Sequence, residues 1–121
     1  MVYEQDTLKH TKGDTGGIKI TSILLEDGTE YTLQDGDTIT LTVRSKPADD
    51  SPILLQIVSE TNELILKPED TANIAPGKYS ADIQLDTVTG DRFTIWPDKS
   101  ARAMTPTAAN FSNFWIWPEV T

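Results

Sequence analysis

Two stretches of the chain alternate strictly between apolar and polar residues, and this alternation constrains the fold more than any other feature. In residues 38–44, Ile39, Leu41 and Val43 are separated by threonines. Residues 79–86 repeat the pattern, with Tyr, Ala, Ile and Leu at the odd positions and polar residues between them. A period of two places the apolar side chains on one face of a β-strand, whereas a helix would need a period of 3.6. Both stretches are therefore predicted to be half-buried strands.

Shorter β-branched or aromatic runs, each bounded by turn residues, add further predicted strands. They cover residues 18–25, 30–33, 53–58, 64–66, 92–96 and 114–120. Residues 69–75 read as a polar, helix-turn-like crossing, and no amphipathic helix is evident. About seven short strands with turn signals between them predict an all-β fold, namely an Ig-like antiparallel β-sandwich. A β-barrel is the alternative architecture.

The length of 121 residues fits a single β-sandwich domain over residues 1–121. Residues 1–16 are polar and glycine-containing, and they are predicted to form a flexible N-terminal arm. Residues 99–113 are rich in Ala, Thr, Pro and Asn, which predicts a long loop. Too few residues follow that loop to fold as a second domain.

The charge balance narrows the set of expected partners. Ten Lys and Arg against nineteen Asp and Glu give a net charge of −9. Such a surface repels phosphate backbones, so nucleic acid is not an expected partner. No membrane partner is expected, because no stretch approaches the ~20 apolar residues of a membrane span and the N-terminus lacks a signal-peptide pattern. The product is expected to start in a cytoplasm.

The chain offers few side chains for catalysis. It has no cysteine, which excludes a thiolate nucleophile, a disulfide and the usual cysteine zinc site. Its one histidine, His10, is predicted to be a solvated residue of the arm, where it would lack the geometry of a general base. The Asp27-Gly28 and Asp35-Gly36 pairs are predicted to form tight turns rather than calcium ligands. We therefore expect no enzyme and no catalytic, cofactor-binding or metal-binding residue.

Three tryptophans, Trp96, Trp115 and Trp117, are the candidate partner-binding residues. In the last predicted strand, alternation puts Phe114 and Ile116 on the core face and the neighbouring tryptophans on the other face. Three interpretations of this outward stripe stay open. The domain's own long loop could bury it, a subunit or partner protein could cover it, or a carbohydrate could stack on it.

Several sequence motifs occur in a characteristic order. They are Gly13-Asp14-Thr15, Asp27-Gly28, residues 37–43, Glu69-Asp70-Thr71, Pro76-Gly77-Lys78-Tyr79, Asp82-Ile83-Gln84-Leu85 and the closing Pro118-Glu119-Val120-Thr121. In this order they resemble the N-terminal domains of upper-baseplate proteins from tailed phages and prophages of Gram-positive bacteria. The chain departs from that family at residues 99–113, which are longer than the family's tight turn. It also stops at Thr121, where family members continue into a receptor-binding or fibre region.

The resemblance implies a non-enzymatic structural module that docks into a tail-tip or baseplate assembly. Its implied partners are other virion tail proteins and further copies of itself in a homo-oligomer. Its implied location is the virion tail, after synthesis in the cytoplasm of a bacterial host. The alternative function is a carbohydrate-binding β-sandwich module that recognises cell-surface glycans through Trp96, Trp115 or Trp117.

Overall fold

The structure, a computed structural model, describes residues 1–4, 6–25, 27–46, 50–97 and 112–119, and these residues are almost entirely β. The elements are β1 Val2–Glu4, β2 Thr7–Thr11, β3 Gly16–Lys19, β4 Ile23–Leu24, β5 Glu30–Tyr31, β6 Thr38–Arg44, β7 Ile53–Ser59, β8 Glu63–Leu66, α1 Pro68–Thr71, β9 Gly77–Asp86, β10 Arg92–Trp96 and β11 Phe114–Trp117. The predicted all-β class is confirmed. No helix in the described ranges is long and apolar enough to cross a membrane.

Seven strands form the main sheet, in the order β1-β2-β11-β9-β6-β7, and β10 also pairs with β9. Two small sheets, β3-β8 and β4-β5, complete the fold. The pairs in the main sheet are antiparallel except that β11 runs parallel to β2. Parallel neighbours need a long connection between them, and here most of the chain separates the two strands.

The core lies between the main sheet and the small sheets. In β6, Ile39, Leu41 and Val43 are fully buried, as the alternation predicts. The register sets these residues beside the apolar positions of β9, and Leu64 and Leu66 of β8 pack onto the same cluster. Each such side chain contributes roughly 1.5–3 kcal/mol when it is fully buried. The two-layer arrangement is the predicted β-sandwich.

The first residues of the chain differ from the prediction of a flexible arm. Residues 1–16 contain β1 and β2, and β2 lies inside the main sheet between β1 and β11. Leu8 and His10, on the inner face of β2, are each 1% exposed. The prediction of a solvated His10 is therefore wrong. The strand is hard to recognise because Leu8 is the single aliphatic residue in Thr7–Thr11.

Other differences concern the ends of elements. The strand predicted over residues 18–25 is two strands, β3 and β4, which belong to different small sheets. The crossing predicted over residues 69–75 begins with α1, where the carboxylate of Asp70 accepts a hydrogen bond from the backbone N–H of Lys67 at 2.7 Å. Most of the predicted long loop, residues 99–111, lies outside the described residues.

Candidate functional site

The candidate site is on the outer face of β11, where the sequence places two of its three tryptophans. Phe114 and Ile116 are 0% and 2% exposed in the core, whereas Trp115 is half-buried and Trp117 is 42% exposed. The predicted alternation in this strand is confirmed. Because β11 lies between β2 and β9, its side chains are held on a paired part of the sheet rather than on a loop.

Asn113 fixes the position at which β11 enters the sheet. Its side chain is 2% exposed and bonds both backbone groups of Ala81, accepting from the N–H at 2.7 Å and donating to the carbonyl at 2.9 Å. Its backbone N–H donates to the carbonyl of Tyr79, and its carbonyl accepts from the N–H of Leu8. These four bonds join β9 and β2 to the start of β11. They set the register in which the tryptophans meet their neighbours.

That register brings a lysine to each side of Trp115. Lys9 in β2 and Lys78 in β9 are the residues directly opposite it. The ammonium groups lie 4.8 Å and 4.5 Å from the centre of the Trp115 ring, within the range of cation–π attraction. Lys9 also lies 6.0 Å from the ring centre of Trp117. We call Lys9, Lys78, Trp115 and Trp117 the tryptophan–lysine platform.

The platform is locally basic in a chain whose net charge is −9. At its rim the carboxylate of Glu4 pairs with the ammonium group of Lys9 at 3.1 Å, and that glutamate side chain is 59% exposed. No ion pair is recorded for Lys78 among the described residues. The indole N–H of Trp115 is buried and has no hydrogen-bond partner in the described part of the chain. The platform thus presents aromatic surface and positive charge together.

Trp96 does not belong to the platform. A register shift between Thr94 and Trp96 sets Trp96 opposite Ile83, whose side chain is in the core. The Trp96 ring packs against the core and meets the ring of Tyr3 edge-on, with 6.2 Å between the ring centres. The structure therefore brings together two of the three tryptophans and places the third on the opposite face of the sheet.

Asp37, an ionisable residue outside the platform, is held by three hydrogen bonds within the fold. The carboxylate of Asp37 accepts hydrogen bonds from the Tyr31 hydroxyl at 2.6 Å and from the backbone N–H groups of Gln34 and Val88, each at 2.8 Å. The Tyr31 bond is the largest of the causes that lower the pKa of Asp37. In the Asp27-Gly28 and Asp35-Gly36 pairs, the glycines have positive φ angles of +85° and +91°, respectively. These angles confirm the predicted turns.

His10 points away from the platform. It sits on the inner face of β2, and its Nε2 lies 3.0 Å from the backbone carbonyl of Asp14. Burial lowers its pKa from the usual value. Among the described residues there is no group of three or more His, Asp or Glu that could hold a metal ion.

The two lysines are the part of the site that the sequence did not reveal. Positions 9, 78 and 115 meet only through strand pairing, and the parallel pairing of β2 with β11 has no local sequence signal. Lys78 could have been placed on the outer face, because it precedes the alternating residues 79–86 in phase.

In the comparisons with known proteins, no family model, curated protein or solved structure matches the chain.

Proposed function

We propose that this chain is a non-enzymatic structural module of a phage or prophage virion, which docks into a tail-tip or baseplate assembly through the tryptophan–lysine platform. The observation that carries the proposal is the platform itself, an exposed indole beside a second indole flanked by two lysines. The resemblance of residues 66–85 and the other motifs to upper-baseplate N-terminal domains supplies the setting. The module would act in the virion tail, after synthesis in the host cytoplasm.

The partner that fits this platform is an acidic segment of another tail protein. Tryptophan is enriched among the residues that dominate binding energy at protein interfaces, and Trp117 leaves a large part of its ring open to a partner. The ammonium group of Lys78 would attract carboxylates and orient the partner, whereas that of Lys9 is already paired with Glu4. The outer face of a paired strand such as β11 suits a broad contact better than it suits a small molecule in a pocket.

Carbohydrate binding is the second candidate function, and the exposure of Trp117 is the observation that favours it. Sugars stack on open aromatic faces. Trp115 offers less of such a surface, because an ammonium group approaches it from each neighbouring strand. A platform for neutral glycans would therefore depend on one ring alone, which favours the protein partner.

The proposal is tested with tail assemblies purified from particles that lack the chain. Added wild-type protein should bind these assemblies and co-purify with them, as detected by mass spectrometry. Trp117→Ala should weaken binding about 30-fold, which corresponds to the ~2 kcal/mol of an interface anchor. Lys78→Glu should also weaken binding, and its effect should grow as the salt concentration is lowered. The reversed charge repels an acidic partner, and this repulsion is screened less at low ionic strength.

Two exposed residues away from the platform supply matched controls. Leu24→Ala changes an apolar side chain that is 60% exposed on β4, and Lys46→Glu reverses an exposed charge. Both variants should bind like wild type. Absence of the wild-type chain from purified particles would refute the virion role. Titration of host cell-wall polysaccharide against tryptophan fluorescence separates the alternatives, since saturable binding there without binding to tail assemblies supports glycan recognition.

A further inference from the structure

Strand β7 forms one edge of the main sheet, and none of its residues is charged. It reads Ile-Leu-Leu-Gln-Ile-Val-Ser over Ile53–Ser59 and pairs on one side with β6. Among the described strands, none pairs with its other side. Ile53, Leu54 and Val58 are 49%, 37% and 62% exposed. The strand thus combines an open backbone edge with exposed apolar side chains.

Such an edge is unusual for a protein that stays monomeric. Edge strands are commonly protected by lysines, prolines, inward-pointing charges or β-bulges, because their unpaired N–H and C=O groups pair readily with another strand. Of these features β7 has only a bulge, between Ile53 and Leu55. This chain has ample charge to do so, since 24% of its residues are Asp, Glu, Lys or Arg. Seven consecutive uncharged residues at the sheet edge therefore favour an interface.

We propose that β7 pairs antiparallel with β7 of a second copy of this chain, which joins the two main sheets across a two-fold axis. This inference does not depend on the virion role proposed above. It commits to a second copy because an antiparallel pair of identical strands is self-complementary, and a two-fold interface places the same patch on both subunits.

The side chains select a register centred on Gln56. In this register Gln56 faces its own symmetry copy, and Leu54 faces Val58 twice, once on each side of the axis. The shift in the β6–β7 pairing leaves Leu54 without a direct partner in β6. The pairing would cover two exposed apolar residues of each copy with those of the other.

Charge explains how two acidic chains can meet at this edge. Within the paired strands no ionised side chain faces another, because β7 contains none. Glu60, the first residue after β7, falls opposite Pro52 in this register and not opposite its own copy. Two chains of net charge −9 therefore repel each other less at this strand than at a charged part of the surface.

The interface leaves the tryptophan–lysine platform open. In the main sheet β7 is the third strand from β11, with β9 and β6 between them. One short strand pair buries less than a standard interface, so the dimer should be weak, with a Kd of about 10 µM to about 1 mM. Trp117→Ala should leave the dimer intact, which separates this inference from the docking proposal.

Sedimentation equilibrium over this concentration range measures the dimer. The mass of wild type should rise from one chain to two. Val58→Lys should hold the protein at one chain, because it sets a charged side chain against the apolar Leu54 of the other copy on each side of the axis. Val88→Lys is the matched control, since Val88 is also 62% exposed and lies in the described turn after β9. A wild type that stays at one chain throughout, or a Val58→Lys variant that dimerises like wild type, would overturn the proposal.

The absence of cysteine allows a direct test of the register. Gln56→Cys should form a disulfide between two copies under mild oxidation, because facing residues of an antiparallel pair have Cα atoms about 4.5–5.5 Å apart. Val58→Cys should not, since its symmetry copy would lie about 14 Å away along the strands. Cross-linking is read on a non-reducing gel. Equal cross-linking of both variants, or cross-linking of Val58→Cys alone, would contradict the proposed register.

Discussion

Replacing Asn113 by alanine removes two hydrogen bonds that join the start of β11 to β9. The N–H and the carbonyl of Ala81 each lose their side-chain partner at a site that is 2% exposed. A buried backbone group left unsatisfied costs about 1–3 kcal/mol, so the two groups together should cost about 3 kcal/mol of unfolding free energy. For a chain of 121 residues this corresponds to a fall in Tm of about 10 °C.

The isosteric variant Asn113→Asp tests the same bonds in a second way. It keeps an acceptor for the Ala81 N–H but sets an oxygen against the Ala81 carbonyl where the amide donated. Because burial disfavours the carboxylate, its loss of stability should be largest at neutral pH and smaller at pH 4, where protonation restores a donor.

Urea unfolding followed by tryptophan fluorescence measures both variants. Asn73→Ala supplies the control, since Asn73 is exposed after α1, and its effect should stay within about 0.5 kcal/mol of wild type. A loss below about 1 kcal/mol for Asn113→Ala would refute the role assigned to the two bonds.

Three further predictions follow from local contacts. The hydrogen bond from the Tyr31 hydroxyl lowers the pKa of Asp37, so the ionised Asp37 carboxylate should stabilise the fold fully above the unfolded carboxyl pKa of about 3.9 and lose this contribution as the pH falls below it. In urea titrations from pH 6 to pH 2, the unfolding free energy of Asp37→Asn should therefore fall less steeply than that of wild type. Burial lowers the pKa of His10, so NMR titration of this single histidine should give a value below 6.5, and stability should decrease as the pH falls from 7.5 to 5.5 because the unfolded chain binds the proton first. Gly36→Ala should destabilise the fold by about 2–3 kcal/mol and Gly28→Ala by about 1 kcal/mol. Both glycines have positive φ, but only at position 36 would the new β-carbon lie 2.9 Å from a neighbouring side chain, that of Val88. Thermal unfolding of the two variants measures the difference.

The parts of the fold that could be predicted are those whose local pattern agrees with their tertiary surroundings. Strands β6 and β9 have one buried and one exposed face, so their period of two appears directly in the sequence. Strand β2 has the same arrangement, but a histidine occupies one of its two inner positions. Its burial depends on pairing with β11, about a hundred residues further along the chain, which no local pattern encodes.

The candidate site was predictable to a similar extent. Alternation placed Trp115 and Trp117 outward, because β11 is regular. The same reasoning could not place Trp96, since the register shift after Thr94 changes the face to which the strand directs its last side chain. The lysines that flank Trp115 come from two other strands, so their convergence depends on register alone.

The position of β11 also determines the order in which the protein can fold during synthesis. This strand lies between β2 and β9, and it is made after all the other strands described here. Until β11 leaves the ribosome, the edge of β2 that faces away from β1 and the first residues of β9 have no neighbouring strand. Leu8 and Tyr79 then lack their pairing partner Phe114. Such long-range pairing slows folding and exposes strand edges in the nascent chain. The incomplete sheet is therefore the stage at which aggregation, or protection by a chaperone, would act on this protein.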